Sequence, residues 1–218
     1  MPYARDETPE MSGKEGREKQ IRDLQAALRA AEGLSPKTLA ARISDIGFEC
    51  MGCGECCRGE DNSVVVFPFE IRAIQTETGL DWLDIVSPPK EGEWDKNGCF
   101  HTLEWRLKKE NDSCRFHQNG RCSIYSVRPM LCSTYPFYLD NEILQCSECR
   151  GLGGRIEPDA ARRMAERLIK RYVTEIREAI ALLERYQDFE RSEARKGSRI
   201  VVHDSEGEHR IVGEELLG

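Results

Sequence analysis

The chain has no run of about 18 apolar residues, the least that a membrane-spanning helix needs. Its opening residues, MPYARDETPEMSGKEGREK, have no apolar core of the kind a secretory signal requires. Together these absences lead us to expect a cytoplasmic protein. Aromatic residues are scarce at 7%, and a hydrophobic share of 39%, a charged share of 33% and a mean hydropathy of −0.59 leave little for a large apolar core. The middle of the chain is therefore expected to need cross-links or metal. Excess positive charge is also missing: the net charge is −7 and the pI is near 5.3, which argues against non-specific nucleic-acid binding. Trp82, Trp94 and Trp105 show no spacing suited to base stacking. There is no GxGxxG motif, and GLGGR (Gly151 to Arg155) is too short, and lacks the preceding strand, to cradle a nucleotide. No Ser/His/Asp set or carboxylate pair stands out, so hydrolase chemistry has no positive support.

What the sequence does hold is cysteine. All ten cysteines lie between residues 50 and 149: Cys50, Cys53, Cys56 and Cys57 in CMGCGECC, a lone Cys99, then Cys114, Cys122 and Cys132, and last Cys146 and Cys149. Thiols in a cytosolic chain are normally kept reduced, so this concentration points to metal binding or redox chemistry before structural disulfides. A two-residue spacer lets a tight turn aim both thiolates at one ion, and CxxCxxC extends this to three, as in the first three ligands of bacterial ferredoxin runs. Cys57 is expected to serve elsewhere, because side chains of adjacent residues diverge from the backbone. The segment is thus read as shared between two sites, or as one cluster plus a spare, second-sphere or reactive thiol.

Thiolate-bound centres carry net negative charge and need cations or donors nearby. Arg58 follows Cys57, Arg115 follows Cys114, Arg121 precedes Cys122, Arg128 precedes Cys132 and Arg150 follows Cys149, and residues 113–135 contain no Asp or Glu. Arg58, Arg115, Arg121 and Arg128 are accordingly expected to surround the centre as counter-charge or to bind an anionic substrate beside it. His101 and His117 are possible ligands, His101 reading first as a core or surface residue, and Tyr125 and Tyr135 read as packing groups.

Around the cysteines the chain divides into a flexible tail (1–15), a helical arm (16–47), the cysteine-bearing domain (48–154), a long packing helix (155–191) and a terminal hairpin (198–218). Ile21, Leu24, Leu28 and Ala31 give the first helix its apolar stripe, ending at Gly33. Ser35 and Pro36 open a second, which carries Leu39, Ile43 and Ile46 to Gly47. Val64 to Phe67 reads as a strand, Pro68 to Gly79 as a helix and SPPKEGEWDKNG as a loop. His101, Leu103, Trp105 and Leu107 alternate as in one half-buried strand, and Asn119–Gly120 marks a tight turn. The fold class expected is α+β, small and mostly helical with short strands, organised around a cysteine-bound metal centre with the long helix across it.

CMGCGECCRG (Cys50 to Gly59), Cys114, RCSIYSVRPMLCSTYPF (Arg121 to Phe137) and CRGLGG (Cys149 to Gly154) together resemble the family named for its CxxCxxCC signature, whose members are described as zinc- or iron-chelating proteins. The signature is also similar to the cysteine-rich part of flagellin lysine methylases. Carried over by position, the resemblance implies eight metal ligands, Cys50, Cys53, Cys56, Cys57, Cys114, Cys122, Cys132 and Cys149, with Cys99 and Cys146 as possible extras. Arg150 stands where the family commonly has proline. Three functions stay open. The first is a protein with one or two iron–sulfur clusters, of the 4Fe-4S type, acting in electron transfer or redox-coupled modification of a protein partner. The second is a zinc-binding structural module, for which CxxC pairs at 53/56 and 146/149 could form a four-cysteine site. The third is a thiol-based enzyme or metal chaperone using Cys57 or Cys99.

Overall fold

The computed structural model describes residues 13–59, 63–193 and 199–212. Its six helices are α1 (Lys14–Glu32), α2 (Pro36–Ile46), α3 (Pro68–Thr78), α4 (Trp82–Ile85), α5 (Met130–Thr134) and α6 (Pro158–Arg185), interleaved with short strands. This is the expected α+β class. None of these helices is long and apolar enough to cross a membrane.

The helical arm forms as its caps dictate. Ser35 Oγ accepts the amide of Thr38, Pro36 occupies the first turn, and the chain leaves at Gly47 with φ 73°. The first helix begins at Lys14, inside the stretch expected to be a tail, while residues 1–12 lie outside the described region. Both arm helices pack on α6. Leu39 and Ile43 of α2 meet Ala161, Ala165 and Leu168 of α6 and Phe137, Leu139 and Leu144 of the hairpin Phe137–Asp140/Ile143–Cys146. The long helix thus lies on the arm, on α5 and on the hairpin that ends at Cys146. Arg171, 5% exposed, makes the link: its guanidinium pairs with Glu175 at 2.6 Å and donates to Thr134 Oγ1 at 2.9 Å.

The second core lies under the cysteine-bearing half, where Val66, Ile71, Ile74, Ile85, Trp105, Phe116 and Ile124 meet Ile200, Val202 and Ile211. Two sheets frame it. One has Trp105–Leu107 between Val65–Val66 and Val86–Ser87. The other has five strands, with Cys99–Leu103 paired to Glu93–Asp95 on one side and, in parallel, to Arg199–Asp204 on the other.

Three expectations change here. The single strand expected from His101 to Leu107 is broken at Glu104 (φ 61°), which flips the alternation so that Phe100 and Thr102 are buried before the break and Trp105 and Leu107 after it. The stretch expected to be a loop contains the strand Glu93–Asp95, held by Arg191–Ser192 just beyond α6. The hairpin Arg199–Asp204/Gly207–Val212 is an integral part of the five-stranded sheet. Residues 194–198 and 213–218 are outside the described region.

Candidate metal centre

The octet CMGCGECC folds as a tight turn because its glycines permit it. Gly52 (φ 65°) and Gly54 (φ 70°) both adopt the left-handed conformation that costs an ordinary residue roughly 1–2 kcal/mol. Residues Glu55–Cys57 then wind into one 3₁₀ turn, closed by the Cys57 amide on the Gly54 carbonyl at 3.0 Å.

Two different segments flank this turn. On one side, Phe48 bridges Leu152, the Glu49 amide donates to the Gly151 carbonyl at 2.9 Å, and Arg150 pairs with Glu55 at 2.6 Å. A Cβ on Gly151 would stand 2.2 Å from the Glu49 carbonyl oxygen, so the GLGG stretch serves close backbone approach. On the other side, Arg58 bridges Ser113, the Gly59 amide donates to Asp112 at 2.9 Å, and the Ser113 hydroxyl reaches the Cys57 carbonyl at 3.5 Å.

The thiols group accordingly only in part. Cys57 feels the charges of Cys114, Cys132 and Cys122, and Cys149 feels those of Cys53, Cys56 and Cys50, while Cys56 also acts on Cys114 and Cys132 and so stands between the two groups. Cys114 and Cys122 come from the consecutive hairpins Lys109–Glu110/Ser113–Cys114 and His117–Gln118/Arg121–Cys122, and Cys132 from α5. Glu70 of α3, 6% exposed, fixes the start of α5 by accepting the Met130 amide at 2.7 Å. Burial raises the pKa of Glu70 against this bond and the one from Phe67. The two groups of thiols touch: Cys56 Sγ and Cys57 Sγ are 4.0 Å apart, closer than the expected divergence of neighbouring side chains. Their shared hydrogen bond drives the Cys56 thiol far up and holds Cys57 below the usual thiol range. Burial pushes Cys114, Cys132 and Cys149 up. As placed, no three His, Cys, Asp or Glu side chains among the described residues stand close enough to hold an ion.

Residues 49–150 match the family model CxxCxxCC, described as a "Putative zinc- or iron-chelating domain". Over this span the chain is similar to that family. No curated protein and no solved structure matches the chain. That family's description points to zinc or iron chelation, and the residues around the octet offer a thiol-rich donor set.

The remaining candidates fall as follows. Cys99 begins the strand Cys99–Leu103 opposite Arg199, with its amide on Asp95 Oδ1 at 2.8 Å, and exposed Cys146 ends its hairpin opposite Phe137. Neither is among the leading charged neighbours of Cys56, Cys57, Cys114, Cys132 or Cys149. Arg128 stacks on Tyr125 at 3.8 Å, and its charge favours the thiolate of Cys56. Arg115 is committed elsewhere, to the Asp84 carboxylate at 3.6 Å and to Glu110 at 3.7 Å. Arg58 is exposed beside the turn, and Arg121 is exposed at the hairpin end. Tyr135 donates its hydroxyl to the Glu148 carbonyl, and its pKa is raised to about 12 by burial and then by the charges of Cys149, Cys56 and Cys53.

Two features went unread in the sequence. His101 belongs to a hydrogen-bonded chain, with Nδ1 2.8 Å from His203 Nε2 and Nε2 3.4 Å from Asp95 Oδ2, well away from the octet in sequence. The imidazole of His117 lies on Gly54, where a Cβ would stand 2.3 Å from Nε2. The Asn119–Gly120 turn was the available signal, since a two-residue loop places residues 117 and 122 opposite each other.

Proposed function

We propose that the domain holds two thiolate centres, one on Cys50, Cys53, Cys56 and Cys149 and the other on Cys57, Cys114, Cys122 and Cys132, and that these are iron–sulfur clusters. The observation that carries this reading is that two separate cysteine-bearing segments flank the octet, the one that follows Cys149 paired at Phe48 and Glu49 and the one that holds Cys114 paired at Arg58 and Gly59. The spacing CxxCxxC and the all-sulfur donor set favour iron–sulfur ligation. Loading would turn the thiols inward about the two positions, and the bound metal would supply the thiolate-stabilising charge that the bare cluster of thiols lacks.

The protein's own residues divide the remaining work. Gly52 and Gly54 shape the turn, Glu70 anchors the helix that presents Cys132, and Arg128 offsets thiolate charge at Cys56. Cys50, Cys53 and Cys56 are exposed, so the first centre would lie at the surface, where a protein partner could exchange electrons with it. We infer a role in electron transfer or in redox-coupled modification of that partner.

The test is anaerobic purification followed by iron, sulfide and zinc analysis with visible and EPR spectra. Iron with matching sulfide supports the clusters. Colourless protein with stoichiometric zinc and no sulfide overturns them in favour of a structural zinc module.

A further inference from the structure

Among the polar side-chain atoms of this half of the molecule, His117 Nε2 is unusual. It is shut away from solvent and has no hydrogen-bond partner. Leaving a buried imidazole nitrogen unpaired costs on the order of 1–3 kcal/mol, and such groups are normally satisfied. Its position is specific. The ring rests on Gly54, between Cys53 and the turn bearing Cys56 and Cys57. The backbone amide of the same residue donates toward the Cys114 sulfur, and across the hairpin His117 stands directly opposite Cys122, so the two side chains share a face. His117 therefore touches structure belonging to both groups of thiols.

Two sets of four thiolates leave no coordination position for a ninth donor, but they do leave excess negative charge on sulfur. Arginine was expected to offset it, yet Arg115 is turned to Asp84 and Glu110. We propose that His117 is a positioning residue for the centre, its Nε2–H donating a hydrogen bond to a ligand sulfur on the Cys53–Cys57 turn when metal is bound. This rests on the two-centre reading. The unpaired nitrogen and the absence of a side chain at Gly54 are then one arrangement: glycine leaves room for the donor to reach the sulfurs. Groups that hydrogen-bond metal ligands typically alter metal affinity by about 10- to 100-fold.

The experiment uses the full chain, anaerobically loaded, with release of its iron or zinc to a chromogenic chelator as the readout alongside the sulfur-to-metal charge-transfer absorption. His117→Leu keeps the volume but removes the donor, and should release metal about 10- to 100-fold faster, with a displaced absorption band. His117→Gln, whose amide nitrogen reaches about as far as Nε2, should restore slow release. Where the leucine variant fails to fold, His117→Asn replaces it, since its amide stops short and should behave as donor-free. Equal release from the wild type and the donor-free variant, or failure of glutamine to differ from the donor-free variant, overturns the inference. Failure of the two-centre reading shows separately, as a wild type that binds fewer than two centres before any variant is compared.

Discussion

On the proposed partition, replacing Cys57 by serine removes one donor of the group Cys57, Cys114, Cys122 and Cys132, and leaves the group Cys50, Cys53, Cys56 and Cys149 untouched. A hydroxyl is a far poorer ligand than a thiolate for iron–sulfur or zinc centres, so the damaged group should empty while the other stays filled. The expected content is one centre of the original two, a loss of half the metal and half the sulfide. Cys149→Ser should lose the complementary half, and the double variant should lose nearly all. Cys99→Ser and Cys146→Ser should keep the full complement, because neither thiol is grouped with the eight. Metal and sulfide are counted per chain on anaerobically purified protein, with the spectra of the two single variants summed and compared with the wild type. A Cys57→Ser protein that keeps all its metal would show the thiol to be a spare and would refute the partition. Complete loss from each single variant would refute the independence of the two groups and indicate one joint centre.

Gly54→Ala should lower metal content, because the new Cβ meets His117 at 2.3 Å in a left-handed backbone; Gly52→Ala, at a similar φ with nothing within 4 Å, separates strain from collision in the same metal assay. Arg171→Ala should destabilise the loaded protein by about 3–5 kcal/mol, the usual cost of removing one partner of a buried ion pair, read from the urea midpoint; a change below about 1 kcal/mol would refute the link through Glu175 and Thr134. Burial, with the nearby His101, holds His203 down to about 4, against 6.5 when unfolded. His203 therefore contributes stability that is complete above the unfolded value and is lost as pH falls from about 6.5 toward about 4, with an upper bound of roughly 3 kcal/mol. The groups facing it are His101, Asp204, Glu208 and Tyr186. In urea titrations from pH 7 to 5, His203→Gln should show the shallower loss, and parallel curves for the two proteins would dismiss the mechanism.

The cysteine spacing singled out the segments that the fold brings to the octet, and the adjacent pair Cys56–Cys57 raised the two-group reading that the metal counts test. The helix boundaries at Ser35–Pro36, Gly47 and Gly79 were equally readable, because local capping and glycine chemistry fix them without help from distant residues. What could not be read was tertiary. Arg115 sits next to a cysteine in sequence, but its long side chain turns to carboxylates supplied by α4 and the neighbouring hairpin. Cys146 and Cys149 are three residues apart, and only the pairing of Glu49 with Gly151 shows which of them meets the octet. A single residue with positive φ, Glu104, inverted the strand alternation, an effect that no periodicity count registers.

The parallel pairing of Cys99–Leu103 with Arg199–Asp204 also sets an order on events during synthesis. Leu103 and its partner His203 are 100 residues apart, which at about 5–20 residues per second separates their emergence from the ribosome by roughly 5–20 s. Ile200, Val202 and Ile211 complete the core that underlies Cys114, Cys122 and Cys132. The nascent chain thus displays all ten of these thiols after Cys149 has been made, yet cannot seal the floor beneath three of them until Arg199–Asp204 and Gly207–Val212 arrive. During that interval the cysteines are open to oxidation and to the wrong ion. Delivery of the metal is predicted to follow emergence of Arg199–Asp204 and Gly207–Val212, and a protein truncated before Arg199 should capture metal indiscriminately.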